Sequence, residues 1–166
     1  MGTTFVTLKR DVSGNEPGFW MQDGILELWL RLLALHLPEP TNTGTHLATI
    51  EIRNRWLRAS RGYFGGHVPH SMQYASATQE RTAVVRIAID SLLAALRKSN
   101  TPLHAESLNV LGNEAQQFAA PIERQWLEDI GHAFLDLLDG KISGMASSTE
   151  VMPGSKPYRR SINDRE

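Results

Sequence analysis

Between Arg61 and Ser71 the chain reads RGYFGGHVPHS, which gathers Arg61, Tyr63, His67 and His70 within ten residues on a glycine-permitted turn. These types could handle an anion or a phosphodiester. A guanidinium holds phosphate oxygens in a fork, an imidazole moves a proton, and backbone N–H groups at Gly65 and Gly66 can approach a ligand closely. The plainer alternative is a tight connector, because Gly-Gly and Pro are ordinary turn chemistry. Tyr63 and Phe64 would then plug the core while both histidines sit in solvent, and this is the preferred reading of the stretch.

Arg61 and His67 also form R-x5-H, a spacing that resembles the arginine–histidine motif of HEPN-family ribonucleases. The resemblance covers seven residues. It implies a small all-α protein acting as a dimer, in which His67 serves proton transfer and Arg61 binds the phosphate without a metal. The chain departs from that pattern at Gly62, where a polar residue is usual, and in setting the pair in a Gly-Gly stretch and not on a helix.

A second constellation is Glu128, His132 and Asp136, spaced four apart and therefore on one face of a helix, with Asp129 and Asp139 beside them. Carboxylates with an imidazole at that spacing can share a metal ion. The side of an amphipathic helix opposite its apolar stripe is expected to be charged in any case, so a solvated acidic face is preferred. A carboxylate-bridged di-metal bundle would need two Glu-x-x-His copies, and the sequence has neither. A third group, Arg53, Arg55, Arg58 and Arg61, is a local positive cluster, with Arg55, Arg58 and Tyr63 as candidate ligand-binding residues. Without interleaved aromatics it is a poor nucleic-acid surface, so the expectation is charge pairing with the acidic last helix, inside the same fold or across a dimer.

Other chemistries are excluded more firmly. The absence of cysteine removes disulfides, zinc–thiolate sites and thiol catalysis. There is no Gly-x-x-x-x-Gly-Lys phosphate loop, no G-x-G-x-x-G, no G-x-S-x-G and no H-E-x-x-H, which argues against nucleotide hydrolases, dehydrogenases, α/β-hydrolases and zincins. A formal net charge of -1 argues against a protein that coats DNA. No cofactor is expected.

The elements that must position these residues are mainly helical. Residues 3–9, TTFVTLK, are rich in β-branched types and predict one short strand, followed by a turn at DVSGNEPG. Asp23 is the expected N-cap of a first helix to Leu37, apolar nearly all round and so either the central helix of the domain or part of a subunit interface. A second helix is expected over Thr45–Ser60, with Ala48, Ile52, Trp56 and Ala59 on one stripe and Ile50 and Leu57 on another. A third is expected over Ala77–Lys98, with Ser76 and Gln79 as a capping box. A fourth should open at Thr101-Pro102 and end at Gly112, and the last should run from Pro121 to Gly140.

With 166 residues, the chain reads as an all-α, roughly five-helix antiparallel bundle with a short N-terminal strand, residues 1–140 forming a single helical domain. Residues 141–166, rich in Ser, Gly, Pro and charge, read as a polar, mobile C-terminal tail whose removal costs little stability. Met1–Trp20 lacks a basic flank followed by an apolar run, and Ile25–Leu37 is too short to span a bilayer, so a cytoplasmic protein with no membrane contact is expected. The surplus of apolar residues in the first helix suggests a homodimer. The expected function is non-catalytic: a helical accessory, adaptor or immunity-type partner acting through a surface. The alternatives are a metal-independent ribonuclease or other phosphate-handling enzyme using Arg61–His70, and a metal site on the last helix.

Overall fold

The computed structural model describes residues 2–9, 13–39, 43–62, 66–99, 102–111 and 118–158. Among them the fold is mainly helical, with a two-stranded antiparallel sheet at the N-terminus. Strand β1 (Thr3–Thr7) pairs with β2 (Gly18–Gln22), setting Phe5 opposite Trp20 and Val6 opposite Phe19. The pleat sends Thr4, Val6, Phe19 and Met21 into the interior, while Phe5 and Trp20 stack at 5.3 Å on the other face. The second strand was not anticipated from sequence. Gly18 closes the DVSGNEPG turn, and the four residues between it and the expected Asp23 cap are too few to show an alternating pattern.

Helix α1 (Asp23–His36) is the centre of the domain, packed against α2 (Thr43–Ala59) and α4 (Gln79–Lys98), with α6 (Arg124–Leu138) against α4. Leu26, Trp29, Leu30 and Leu33 are fully buried, and Phe134 from α6 meets both Phe19 and Trp29, with ring centroids at 5.3 and 5.7 Å. The near-continuous apolar surface of α1 is thus largely covered by its own chain. Leu35 is the exception, at 64% exposure. On α2 the stripe of Ile52, Trp56 and Ala59 is buried, whereas Leu57 stays 36% exposed, so the helix is seated on one side and not wedged on two.

Short elements complete the architecture: α3 (Met72–Ala75) and α5 (Ala105–Leu111). Several local expectations shift by a few residues, each for a visible reason. Gln22 occupies the cap position of α1, because the Asp23 carboxylate accepts from the Thr4 hydroxyl at 2.7 Å instead of from its own helix. Thr78, not Ser76, caps α4 by accepting from the Arg81 N–H at 3.2 Å, while Ser76 donates back to the Met72 carbonyl at 2.7 Å and closes α3. Pro121 lies before α6 because Ile122 is held in a bridge to Leu103 through two backbone bonds of 3.0 and 3.2 Å. The end of α6 follows expectation. Gly140 takes φ +70°, and the bonds Gly140 N–H to Leu137 O and Lys141 N–H to Asp136 O form a Schellman motif. Thr101 and Gly112, the expected ends of the fourth helix, lie outside the described residues.

The largest departure concerns the C-terminal residues. Residues 142–158 are laid against the core and are not a mobile tail. The backbone N–H groups of Gly18 and Trp20 donate to Gly144 O and Val151 O, and the Trp20 indole donates to Ala146 O at 3.0 Å. These bonds occupy β2 N–H groups that a lone hairpin would leave to water. Ile142 is buried, and Val151 and Tyr158 pack on the core. At Gly154, φ +82°, an added Cβ would stand 2.8 Å from Ile25 and 2.9 Å from Ile130, so only glycine lets the segment come this close to α1 and α6. Among the described residues no helix is long and apolar enough to cross a membrane.

Candidate functional site

Three elements meet around the residues that drew attention first: the hairpin, α2, and the extended segment 66–71 leading into α3. One hydroxyl ties them. Thr4 donates to Asp23 and accepts from the Val68 N–H at 2.8 Å, so the hairpin fixes both the start of α1 and the path of the segment. From α2, the buried Trp56 indole donates to the His70 carbonyl at 3.0 Å. Trp56 is therefore both core and clamp.

His70 is 3% exposed, and both sides of its ring are engaged. Its Nδ1 accepts from the Met72 N–H at 3.1 Å, and the ring also bonds the Phe5 backbone. Burial, opposed by the Phe5 bond and reinforced by neighbouring His67, pushes this imidazole down to about 4. It is a neutral structural tie between hairpin and segment. The next residue, Ser71, sits at φ 53°, ψ 26°, a left-handed conformation that is uncommon for a non-glycine residue.

Above this floor opens a cavity of about 540 Å³. The hairpin side contributes Phe5, Thr7, Lys9 and the buried Glu16; α2 contributes Arg55; the segment and α3 contribute His67, His70, Ser71, Gln73 and Tyr74. Tyr74 holds Arg55 in place. The Arg55 guanidinium lies 4.0 Å above the ring, Arg81 covers the same ring at 4.1 Å, and the phenol donates to Glu51, which also pairs with Arg55 at 3.9 Å.

The cavity gathers some of the sequence candidates and leaves others out. His67, His70 and Arg55 line it. Arg61 and Arg58 are exposed and do not, and Tyr63 lies outside the described residues. The R-x5-H spacing therefore does not place Arg61 on the same cavity as His67. Among the described residues no arginine of the cluster pairs with the last helix inside its own chain. Arg53 donates to the Ala34 and Leu37 carbonyls at 3.3 and 3.2 Å, completing the C-terminal end of α1, and Arg55 turns to Tyr74 and Glu51.

The acidic side of α6 is covered by other groups. Arg86 from α4 pairs with Asp139, Arg124 pairs with Glu128 at 3.1 Å, and Tyr158 donates its hydroxyl to Asp136 at 2.9 Å and its backbone N–H to Asp129. Asp136 is 3% exposed, so this is not the solvated face expected for Glu128, His132 and Asp136. Among the described residues no group of three or more His, Asp or Glu is gathered as metal ligands.

Comparison with protein-family models, curated proteins and solved structures gives no match. The site must speak through its own chemistry. Lys9, Glu16, Gln73 and Tyr74 were not singled out in the sequence, because nothing local distinguishes them. Lys9 is one cation at a strand end, Glu16 sits inside turn chemistry, and Gln73 and Tyr74 fall in a stretch between expected helices. Only the hairpin's return brings the first two to the last two.

Proposed function

We propose that this protein is a non-catalytic binding module that works through the face containing the Lys9–Arg55–His67 cavity. The observation that carries the reading is the state of His70. The deepest imidazole of the cavity is neutral, buried and bonded on both sides by backbone, so it has no nitrogen left to trade a proton with a ligand. Arg61, the phosphate holder of a ribonuclease reading, does not line the cavity. Among the described lining residues the Ser71 hydroxyl donates to the Pro69 carbonyl at 3.3 Å, and no hydrogen bond joins it to His67 as a nucleophile–base pair. An adaptor or immunity-type role fits such a face. Purified protein incubated with labelled RNAs of varied sequence, with and without chelator, is expected to show no cleavage. Chelator-resistant cleavage lost in His67→Ala would overturn the reading in favour of the ribonuclease.

A second proposal, a homodimer, is supported by a smaller patch than the sequence suggested. Arg31 bonds Ser60 while Arg53 bonds Ala34 and Leu37, so α1 and α2 run antiparallel with Leu35 at the level of α2 residues 53–57. Leu35 on α1 and Leu57 on α2 stay 64% and 36% exposed. Light scattering across micromolar concentrations is expected to show a mass rising toward twice the monomer, reversed by Leu35→Glu. A constant monomer mass sinks this proposal and leaves the binding reading intact.

A further inference from the structure

The cavity's chemistry points to a class of ligand. Two groups on its wall carry fixed positive charge, Lys9 and Arg55; the carboxylates beside them are Glu16 on the wall and Glu51, which pairs with Arg55 at 3.9 Å. Their geometries differ in a useful way. Lys9 is an exposed ammonium with no ion pair among the described residues. Arg55 is a planar fork already aligned by Tyr74 and Glu51, so little freedom is lost when it binds. A point charge and a preset fork on one cavity suit a multivalent oxyanion better than a single carboxylate.

The space is too large for a bare ion. A volume of about 540 Å³ lies within the range of cavities that take one small organic molecule. The body of that molecule would meet hydrogen-bonding groups more than stacking surfaces, since the Tyr74 ring already carries Arg55 at 4.0 Å and Arg81 at 4.1 Å. His67 and the Gln73 amide line the same cavity and supply donors and acceptors. The cavity floor is firmly built: Thr4 accepts from the Val68 N–H, Trp56 donates to the His70 carbonyl, and the His70 ring accepts from the Met72 N–H.

We propose that this cavity binds a small phosphorylated molecule with a hydroxylated body, its phosphate held between Lys9 and Arg55 and its hydroxyls by His67 and Gln73. This rests on the reading that the face binds and does not catalyse. Calorimetric titration of the full chain with ribose 5-phosphate, inorganic phosphate and ribose tests it. Ribose 5-phosphate is expected to bind, inorganic phosphate to bind about tenfold more weakly, and ribose to give no heat. Arg55→Gln and Lys9→Gln should each weaken ribose 5-phosphate about tenfold, and Arg55→Lys should not restore it, because an ammonium lacks the fork. Lys9 is exposed at the end of the hairpin, so its variant reports on binding even if Arg55→Gln loosens Tyr74.

No heat with ribose 5-phosphate at about 5 mM, or unchanged affinity in both Arg55→Gln and Lys9→Gln, overturns the proposal. Equal binding of inorganic phosphate overturns the molecule-sized occupant. Following phosphate release in the same samples separates this proposal from the reading beneath it: release would sink the non-catalytic function while sustaining the site, and absence of heat without release would do the reverse.

Discussion

Cutting the chain after Lys141 is expected to cost roughly 5 kcal/mol of stability, a large share of what a domain of this size possesses. The residues removed supply three hydrogen bonds to β2, the buried Ile142, the packing of Val151 and Tyr158, and the cover over Asp136. Losing them leaves Gly18 and Trp20 N–H groups without their carbonyls and bares apolar surface on α1 and α6 at once. Thermal and urea denaturation of the truncated chain should show a fall of many degrees, with a smaller urea m-value if the hairpin detaches. Tyr158→Phe isolates one strand of this effect. It removes the hydroxyl bond to Asp136 and should cost about 1 kcal/mol. A truncated chain as stable as the full one would mean that residues 142–158 are not docked in solution.

Replacing His70 is the second large change. His70→Ala removes a buried ring, and strands the Met72 N–H and the Phe5 backbone partner, for an expected loss of about 2–4 kcal/mol. His70→Asn should recover part of it, because a side-chain carbonyl two residues before Met72 can accept the same N–H as an Asx turn. The pH dependence has a definite sign. The folded-state value of about 4 lies below the ordinary 6.5, so the unfolded chain takes up the proton first as pH falls. The contribution is fully present above about pH 6.5 and drains away toward about pH 4, amounting to about 3 kcal/mol over that window. Urea midpoints measured across the range should fall for the natural chain and stay flatter for His70→Asn. An unchanged profile would show that the imidazole is not held neutral by the fold. A His70→Ala chain of full stability would release the residue from its structural role and reopen the catalytic one.

Much of the helical framework was legible before any coordinates. The apolar repeats of α1, α4 and α6 are long, and their periodicity follows directly from which side must leave water. Gly140 announced the end of α6 because its φ is one that other residues resist. Helix starts were less legible: Asp23 and Ser76 have the right types for caps, but tertiary partners took Asp23 away and α3 took Ser76. The acidic side of α6 looked solvated because a charged stripe says nothing about what lies across from it.

Sequence alone therefore determined a mainly helical protein with an apolar central helix, a short N-terminal strand, and no cysteine chemistry. These follow from local propensity and periodicity, which act over a few residues. The tertiary structure decided everything that needed distant partners. It paired β1 with β2 and brought residues 142–158 back onto both. It buried His70 between the hairpin and α3, turned Arg55 toward Tyr74 while leaving Arg61 off the cavity, and brought Lys9 and Gln73 to one cavity. Side-chain roles of this kind depend on desolvation and on which donor arrives within about 3 Å, and residue type and spacing carry neither quantity.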